Sequence, residues 1–215
     1  MKFLHLADLH IGKRLNEFNL IEDQKYVLEQ ILTLAKDEEV DGVLIAGDVY
    51  DRSQPTAEAV GLLDDFLASL SDAGLSVLMI SGNHDSPERL SFGSRILQKN
   101  GLHIAGTFNG HLETVTLEDE HGPLHIYLMP FLKPAQVRPF FEQKIDTYHQ
   151  AIEAVLGAAQ INPKERNILV AHQFVVHADQ EPLRSDSEST SVGGLDSVEA
   201  FLFADFDYVA LGHLH

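Results

Sequence analysis

Short apolar runs alternate with segments of helical period through the first half of this chain. Lys2 to Leu6 reads as a buried strand, and Leu20 to Glu38 sets Leu20, Val27, Leu28, Ile31, Leu32, Leu34 and Ala35 at helical spacing. A second compact apolar run, Gly42 to Ala46, predicts the next strand. Thr56 is placed to cap a helix through Val60, Leu63, Phe66, Leu67 and Leu70 that stops at Gly74, before a third strand at Ser76 to Ile80. Strand and helix taking turns in this way predict a largely parallel central sheet.

The second half changes character. Pro87 to Lys99 predicts one helix, ended by Asn100-Gly101, and Leu102 to Ala105 a short strand. Glu113 to Leu117 and Leu124 to Leu128, joined through Glu118 to Pro123, read as a hairpin, which adds an antiparallel element. Asp146 to Ala159 has helical pattern, and Asn167 to Ala171 and Tyr208 to Leu211 are the last strands. The fold class is therefore α/β with mixed parallel and antiparallel strands. Between His177 and Asp196 runs a polar stretch too long for an ordinary connection, read here as a loop bordering an active site.

Composition narrows this picture. A chain of 215 residues, 44% hydrophobic, can bury a full core and is expected to form one domain over 1–215. The N-terminal run is interrupted by His5 and ended by Asp8, without a signal-peptide pattern, and no stretch approaches the roughly 20 apolar residues of a membrane span. No cysteine is present, which excludes disulfides and thiolate metal sites and fits a cytoplasmic setting. The net charge of -18 argues against broad, unaided contact with nucleic acid, because Lys and Arg hold phosphate backbones. A DNA-directed function would need a local basic patch, bound metals or a basic partner.

Five short motifs follow one another: Asp8-Leu9-His10, Gly47-Asp48-Val49-Tyr50-Asp51-Arg52, Gly82-Asn83-His84-Asp85, Ala171-His172 and Gly212-His213-Leu214-His215. One such motif would be ordinary turn chemistry. Five in order, all at the carboxyl ends of predicted strands, point to one site on one sheet edge. The other seven histidines, including His5, His103, His125 and His177, carry no such context. The donors are oxygens and imidazoles, a set that suits borderline divalent ions. Two metal ions need a bridging carboxylate, assigned to Asp48, with Asp8, His10 and His215 completing one site and Asn83, His172 and His213 the other. Asp8 and His10, like His213 and His215, are two residues apart, so an extended backbone sends both side chains to one side. Such a centre hydrolyses phosphate esters. His84, beside a ligand but without a metal role, is the candidate general acid, with Asp51 or Asp85 to orient its ring. Arg52 is read as a contact to a non-bridging oxygen or as a structural ion pair.

These residues resemble the signature of the calcineurin-like metallophosphoesterase superfamily, Asp-x-His, Gly-Asp-x-x-Asp, Gly-Asn-His-Asp/Glu, His and Gly-His-x-His, and all five parts are matched. Longer strings, His5 to Gly12, Gly82 to Leu90 and Phe206 to Leu211, are similar to its branch of SbcD-type DNA nuclease subunits. The resemblance implies layered sheets flanked by helices, two Mn²⁺ ions, exonuclease action on duplex DNA ends and endonuclease action on single strands or hairpins. It implies an SbcC-like, SMC-family ATPase partner, and a homodimer through helices that correspond to Thr56 to Ala73 and Pro87 to Lys99. Chains of this branch continue past Gly-His-x-His, so the chain is expected to be truncated, with His215 prone to fraying. The alternatives are another metallophosphoesterase, acting on nucleotides or phosphoproteins, and an inactive scaffold of the same fold.

Overall fold

The computed structural model describes residues 1–177 and 197–214; the polar stretch, within 178–196, and His215 lie outside the described residues. The elements in chain order are β1 (Phe3–Leu6), β2 (Arg14–Leu15), β3 (Phe18–Asn19), α1 (Ile21–Asp37), β4 (Gly42–Ala46), α2 (Ala57–Asp72), β5 (Ser76–Ile80), α3 (Pro87–Leu90), α4 (Ser94–Leu97) and β6 (Leu102–Ala105). They continue with β7 (Glu113–Asp119), β8 (Gly122–Met129), α5 (Pro134–Val137), α6 (Tyr148–Ala158), β9 (Arg166–His172), β10 (Phe174–Val176), β11 (Ser197–Glu199) and β12 (Tyr208–Gly212).

Two four-stranded sheets pack face to face. The first has the order β1-β4-β5-β6 and is parallel throughout; the second has the order β12-β9-β8-β7, with only the β7–β8 pair antiparallel. Alternation along β4 explains the layering. Val43 and Ile45 face α1 and α2, in a core with Leu28, Leu63, Phe66 and Leu70, while Leu44 and Ala46 face the second sheet through Leu78, Ile80, Ile126, Leu128 and Val170. A third core joins Met129, Leu169 and Ala171 to Ile152 and Val155 of α6. The layers run helices, sheet, sheet, helix. Ile126, fully buried between the sheets, would cost about 2–5 kcal/mol if cut to Ala.

Most predicted elements stand within a residue or two of their expected limits, because caps and apolar period agree. The Thr56 hydroxyl accepts from the Ala59 N–H, and Thr147 and Gln150 cap α6 reciprocally. One expectation is corrected. Pro87 to Lys99 is not one helix: Gly93 takes a left-handed conformation (φ 76°) and splits it into α3 and α4. The layered arrangement is as expected: a parallel first sheet, and a mixed second sheet to which the β7–β8 hairpin belongs. Among the described residues no helix is long and apolar enough to cross a membrane.

Candidate metal centre

Every predicted ligand within the described residues leaves the carboxyl end of a strand: Asp8 and His10 after β1, Asp48 after β4, Asn83 after β5, His172 closing β9 and His213 after β12. Parallel pairing of β1 with β4 carries on beyond both strands. Asp8 N–H donates to Gly47 O at 3.1 Å, His10 N–H to Asp48 O at 2.9 Å and Ile11 N–H to Val49 O at 2.9 Å. The first two ligand loops are thus locked side by side.

The local backbone is strained at the ligands. Asp8, His10, Asp48 and His213 have φ of 54°, 43°, 46° and 91°, four of the six non-glycine residues at positive φ among the described residues. Each such conformation costs about 1–3 kcal/mol and persists only where its surroundings impose it. Three side chains impose it here. Gln24 of α1 donates to the carbonyls of Leu9 (3.1 Å) and His10 (2.8 Å) and accepts from Gly12 N–H (2.9 Å). The buried Asp85 carboxylate accepts from the N–H groups of Gly82 (2.8 Å), Tyr50 (2.9 Å) and Val49 (3.1 Å). Asp8 accepts the His213 N–H on both oxygens at 3.1 Å. Glycine is needed at 82 and 212 for close approach: a Cβ on Gly82 would collide with Asp48, and one on Gly212 with the Ala46 carbonyl and the His172 ring.

Around Asp48 the donors converge. Asn83 Oδ1 lies 3.1 Å from His172 Nε2 and 2.8 Å from His213 Nδ1, and His172 Nε2 lies 3.3 Å from Asp48 Oδ2. The set Asn83, His172, His213 and Asp48 is therefore brought together as expected. On the other side, His10 Nε2 is 3.8 Å from Asp48 Oδ2. Ligand atoms of Asp8, Asp48 and His172 all lie within 4.8 Å of one another, and so do those of His10, Asp48 and His84. Asp48 is common to both groups, the position a bridging carboxylate needs. His172 is fully buried and its Nδ1–H donates to the Ala46 carbonyl at 2.8 Å, which leaves the Nε2 lone pair for a metal.

The electrostatics fit a cation. Burial opposes charge on His172, yet its hydrogen bond to Asp48 and the Asp48 charge outweigh this and raise its pKa. Burial would raise Asp48, but the His172 and His84 contacts pull it below the ordinary carboxylate value. His10 is lowered, chiefly by burial, and so is a neutral donor at neutral pH. What favours a proton on His172 favours a metal ion equally. The donor chemistry and spacing suit two divalent metals; Asp8, His10, Asp48, Asn83, His172 and His213 are the described residues that could hold them.

His84 stands at the open side, its side chain 44% exposed, with Nε2 3.9 Å from Asp48 Oδ2. Its Nδ1–H donates to the Asp51 backbone carbonyl at 3.0 Å. The two carboxylates expected to orient it do not. Asp85 gives both oxygens to backbone N–H groups, and burial, offset in part by those bonds, raises its pKa. The Asp51 carboxylate faces His10 Nδ1 at 3.9 Å and the exposed Arg52 at 3.5 Å. Two neighbours escaped sequence reasoning. Gln24 gave no signal, since a glutamine inside a helix is ordinary. Phe131 gave none either, yet its ring lies 6.2 Å from His172 and 5.9 Å from His213.

Comparison with known proteins identifies relatives of this chain. The chain is 39% identical over its whole length to the protein described as the D subunit of nuclease SbcCD in Staphylococcus epidermidis, and equally so to that of Staphylococcus saprophyticus. It spans 57% and 56% of those relatives, a little over half their length. The crystal structure of TT1561 of Thermus thermophilus matches with a TM-score of 0.50 over 82% of this chain and 69% of that one, at 15% identity, a likeness of fold. Residues 1–215 match the calcineurin-like phosphoesterase family from end to end, and the chain belongs to that family.

Proposed function

We propose that this chain is the nuclease domain, over 1–215, of a metal-dependent DNA phosphodiesterase of the SbcCD type. One observation carries the reading: carboxylate, amide and imidazole donors from both sheets converge on a single buried carboxylate, Asp48. The 39% identity to nuclease subunits supports DNA as substrate. Two divalent ions, Mn²⁺ as the resemblance to SbcD-type nucleases implies, would be held by Asp8, His10, Asp48 and His215 and by Asn83, His172, His213 and Asp48. Bound there, they supply Lewis acidity toward the phosphoryl oxygens and acidify water at the centre. Gln24 and Asp85 hold the ligand loops. His84 gives a proton to the leaving oxygen, and the Asp51 carbonyl on its Nδ1–H keeps the ring in place and steadies its cationic form.

Partners follow from the same reading. An SbcC-like, SMC-family ATPase would share the holding of DNA and so answer the net charge of -18. The α3–α4 segment leaves Phe92 88% and Ile96 71% exposed, an apolar surface suited to a second copy of the chain. A cytoplasmic setting fits the absence of cysteine.

The test is Mn²⁺-dependent cleavage of end-labelled single-stranded and duplex DNA by the protein and its His84→Ala variant. Cleavage that is lost in the variant is the expected result. Hydrolysis of nucleotides or phosphopeptides with no action on DNA would replace the nuclease reading with another phosphoesterase.

A further inference from the structure

The donor set around Asp48 recognises a phosphate ester and nothing more. If the substrate is a nucleic acid, a neighbouring surface has to hold the nucleoside. Phe131 and Lys133 lie on the loop that follows β8, where the second sheet meets the centre. The Phe131 N–H donates to the Ser81 carbonyl at 2.9 Å, which ties this loop to the loop bearing Asn83. That bond sets the Phe131 ring 5.9 Å from His213, with the planes 31° apart, and 6.2 Å from His172.

Phe131 is half-buried beside the centre. Lys133 is exposed and carries its ammonium 6.0 Å from the Phe131 centroid. Arg52 is exposed on the opposite, His84 side of Asp48, so a cation flanks each side in a chain of strongly negative charge. An aromatic face next to an ammonium complements one nucleotide: the base stacks on the ring and its phosphate meets the charge.

We propose that Phe131 and Lys133 form a nucleotide subsite on the His172–His213 side of the centre, Phe131 stacking a base and Lys133 meeting the phosphate next to the scissile one. The subsite rests on the DNA reading above.

The test compares two oligomers of equal length in Mn²⁺, oligodeoxythymidylate and a strand made only of abasic tetrahydrofuran phosphates. Phe131→Leu keeps most of the packing volume and removes the aromatic face. It is expected to raise KM for oligodeoxythymidylate about 5- to 150-fold, the range of stacking for one base, while leaving kcat, Mn²⁺ content and the abasic strand unaffected. Phe131→Tyr restores the wild-type KM. Lys133→Ala raises KM on both oligomers and flattens the log–log salt dependence by about 0.7, one phosphate contact to a single strand. An equal change on both oligomers in Phe131→Leu, or no change on either, overturns the subsite. Wild-type protein that cleaves neither oligomer overturns the DNA reading and the subsite with it, an outcome separate from any result with the variants.

Discussion

His172 and His84 are built alike, and the proposed mechanism sets them to opposite uses. Each gives its Nδ1–H to a main-chain carbonyl, Ala46 at 2.8 Å and Asp51 at 3.0 Å, and each turns Nε2 toward Asp48, at 3.3 Å and 3.9 Å. They differ in burial. His172 closes β9 and has no exposed surface, whereas the His84 side chain is 44% exposed on a loop. A buried ring with one lone pair turned toward two carboxylates suits a fixed ligand. An exposed ring at hydrogen-bond length from a carbonyl can exchange protons with solvent while keeping its aim. On the proposed roles, exposure, more than hydrogen-bond pattern, separates holding from proton transfer at this centre.

Asp48 serves both sides, so its loss has the largest effect. Asp48→Ala is expected to empty both metal sites and abolish turnover, checked by metal analysis of protein loaded with Mn²⁺ and desalted. Two tightly bound ions in that variant would remove Asp48 as the bridge and dissolve the two-sided description. Next comes the contrast itself. His84→Ala is expected to lower kcat about 10²- to 10⁴-fold, the usual contribution of an acid or base, with metal content unchanged, whereas His172→Ala loses metal. The donor atoms of His84 lie close enough to His10 and Asp48 to join a metal group, which makes metal content the deciding readout. Loss of an ion from His84→Ala would turn it into a ligand and erase the distinction.

A smaller effect falls on the His10 loop. Gln24→Leu removes three hydrogen bonds that hold His10 at φ 43°. Groups that orient a ligand from behind are worth about 10- to 100-fold in metal affinity. Titration calorimetry should find Mn²⁺ weakened on one of two sites, the one opposite His172. Uniform weakening of both would show that the two sides are not independent.

The motif residues were legible because each stands just past an apolar run, where chain order alone announces a strand end. Asp8, His10, Asp48, Asn83, His172 and His213 needed no knowledge of side-chain direction to be gathered on one edge. The roles of Asp51 and Asp85 did need it. Both follow a metal motif by a few residues, and only the folded loop reveals that Asp85 turns inward to three N–H groups while Asp51 offers His84 its carbonyl. Which strands share a sheet was hidden for a related reason. The period of β8 and β9 says that they are buried, not which sheet they extend, and pairing of β8 with β9 rather than with β6 is a long-range choice. Gly93 was overlooked inside Pro87 to Lys99 because one glycine does not interrupt an apolar period, although here it reverses the backbone.

The smallest predicted effect concerns the protein stripped of metal with chelator. His172 has a raised pKa in the folded state, because Asp48 overcomes the cost of burial. Its contribution to stability is therefore fully present below the unfolded value near 6.5 and is lost as pH rises through the raised folded value. His5, His10 and His103 are lowered, mainly by burial, and act in the opposite sense on acidification. The comparison of wild type with His172→Asn isolates the single ring. The melting temperature of the stripped wild type should exceed that of the variant by more at pH 6 than at pH 8, each kilocalorie shifting it by about 2–4 °C in a chain of this size. With Mn²⁺ bound the ion replaces the proton, and the order reverses: the wild-type advantage should grow from pH 6 to pH 8, because protons no longer compete for Nε2. A gap between the proteins that ignores both pH and metal would mean that His172 is only packing, and the buried half of the comparison would fall.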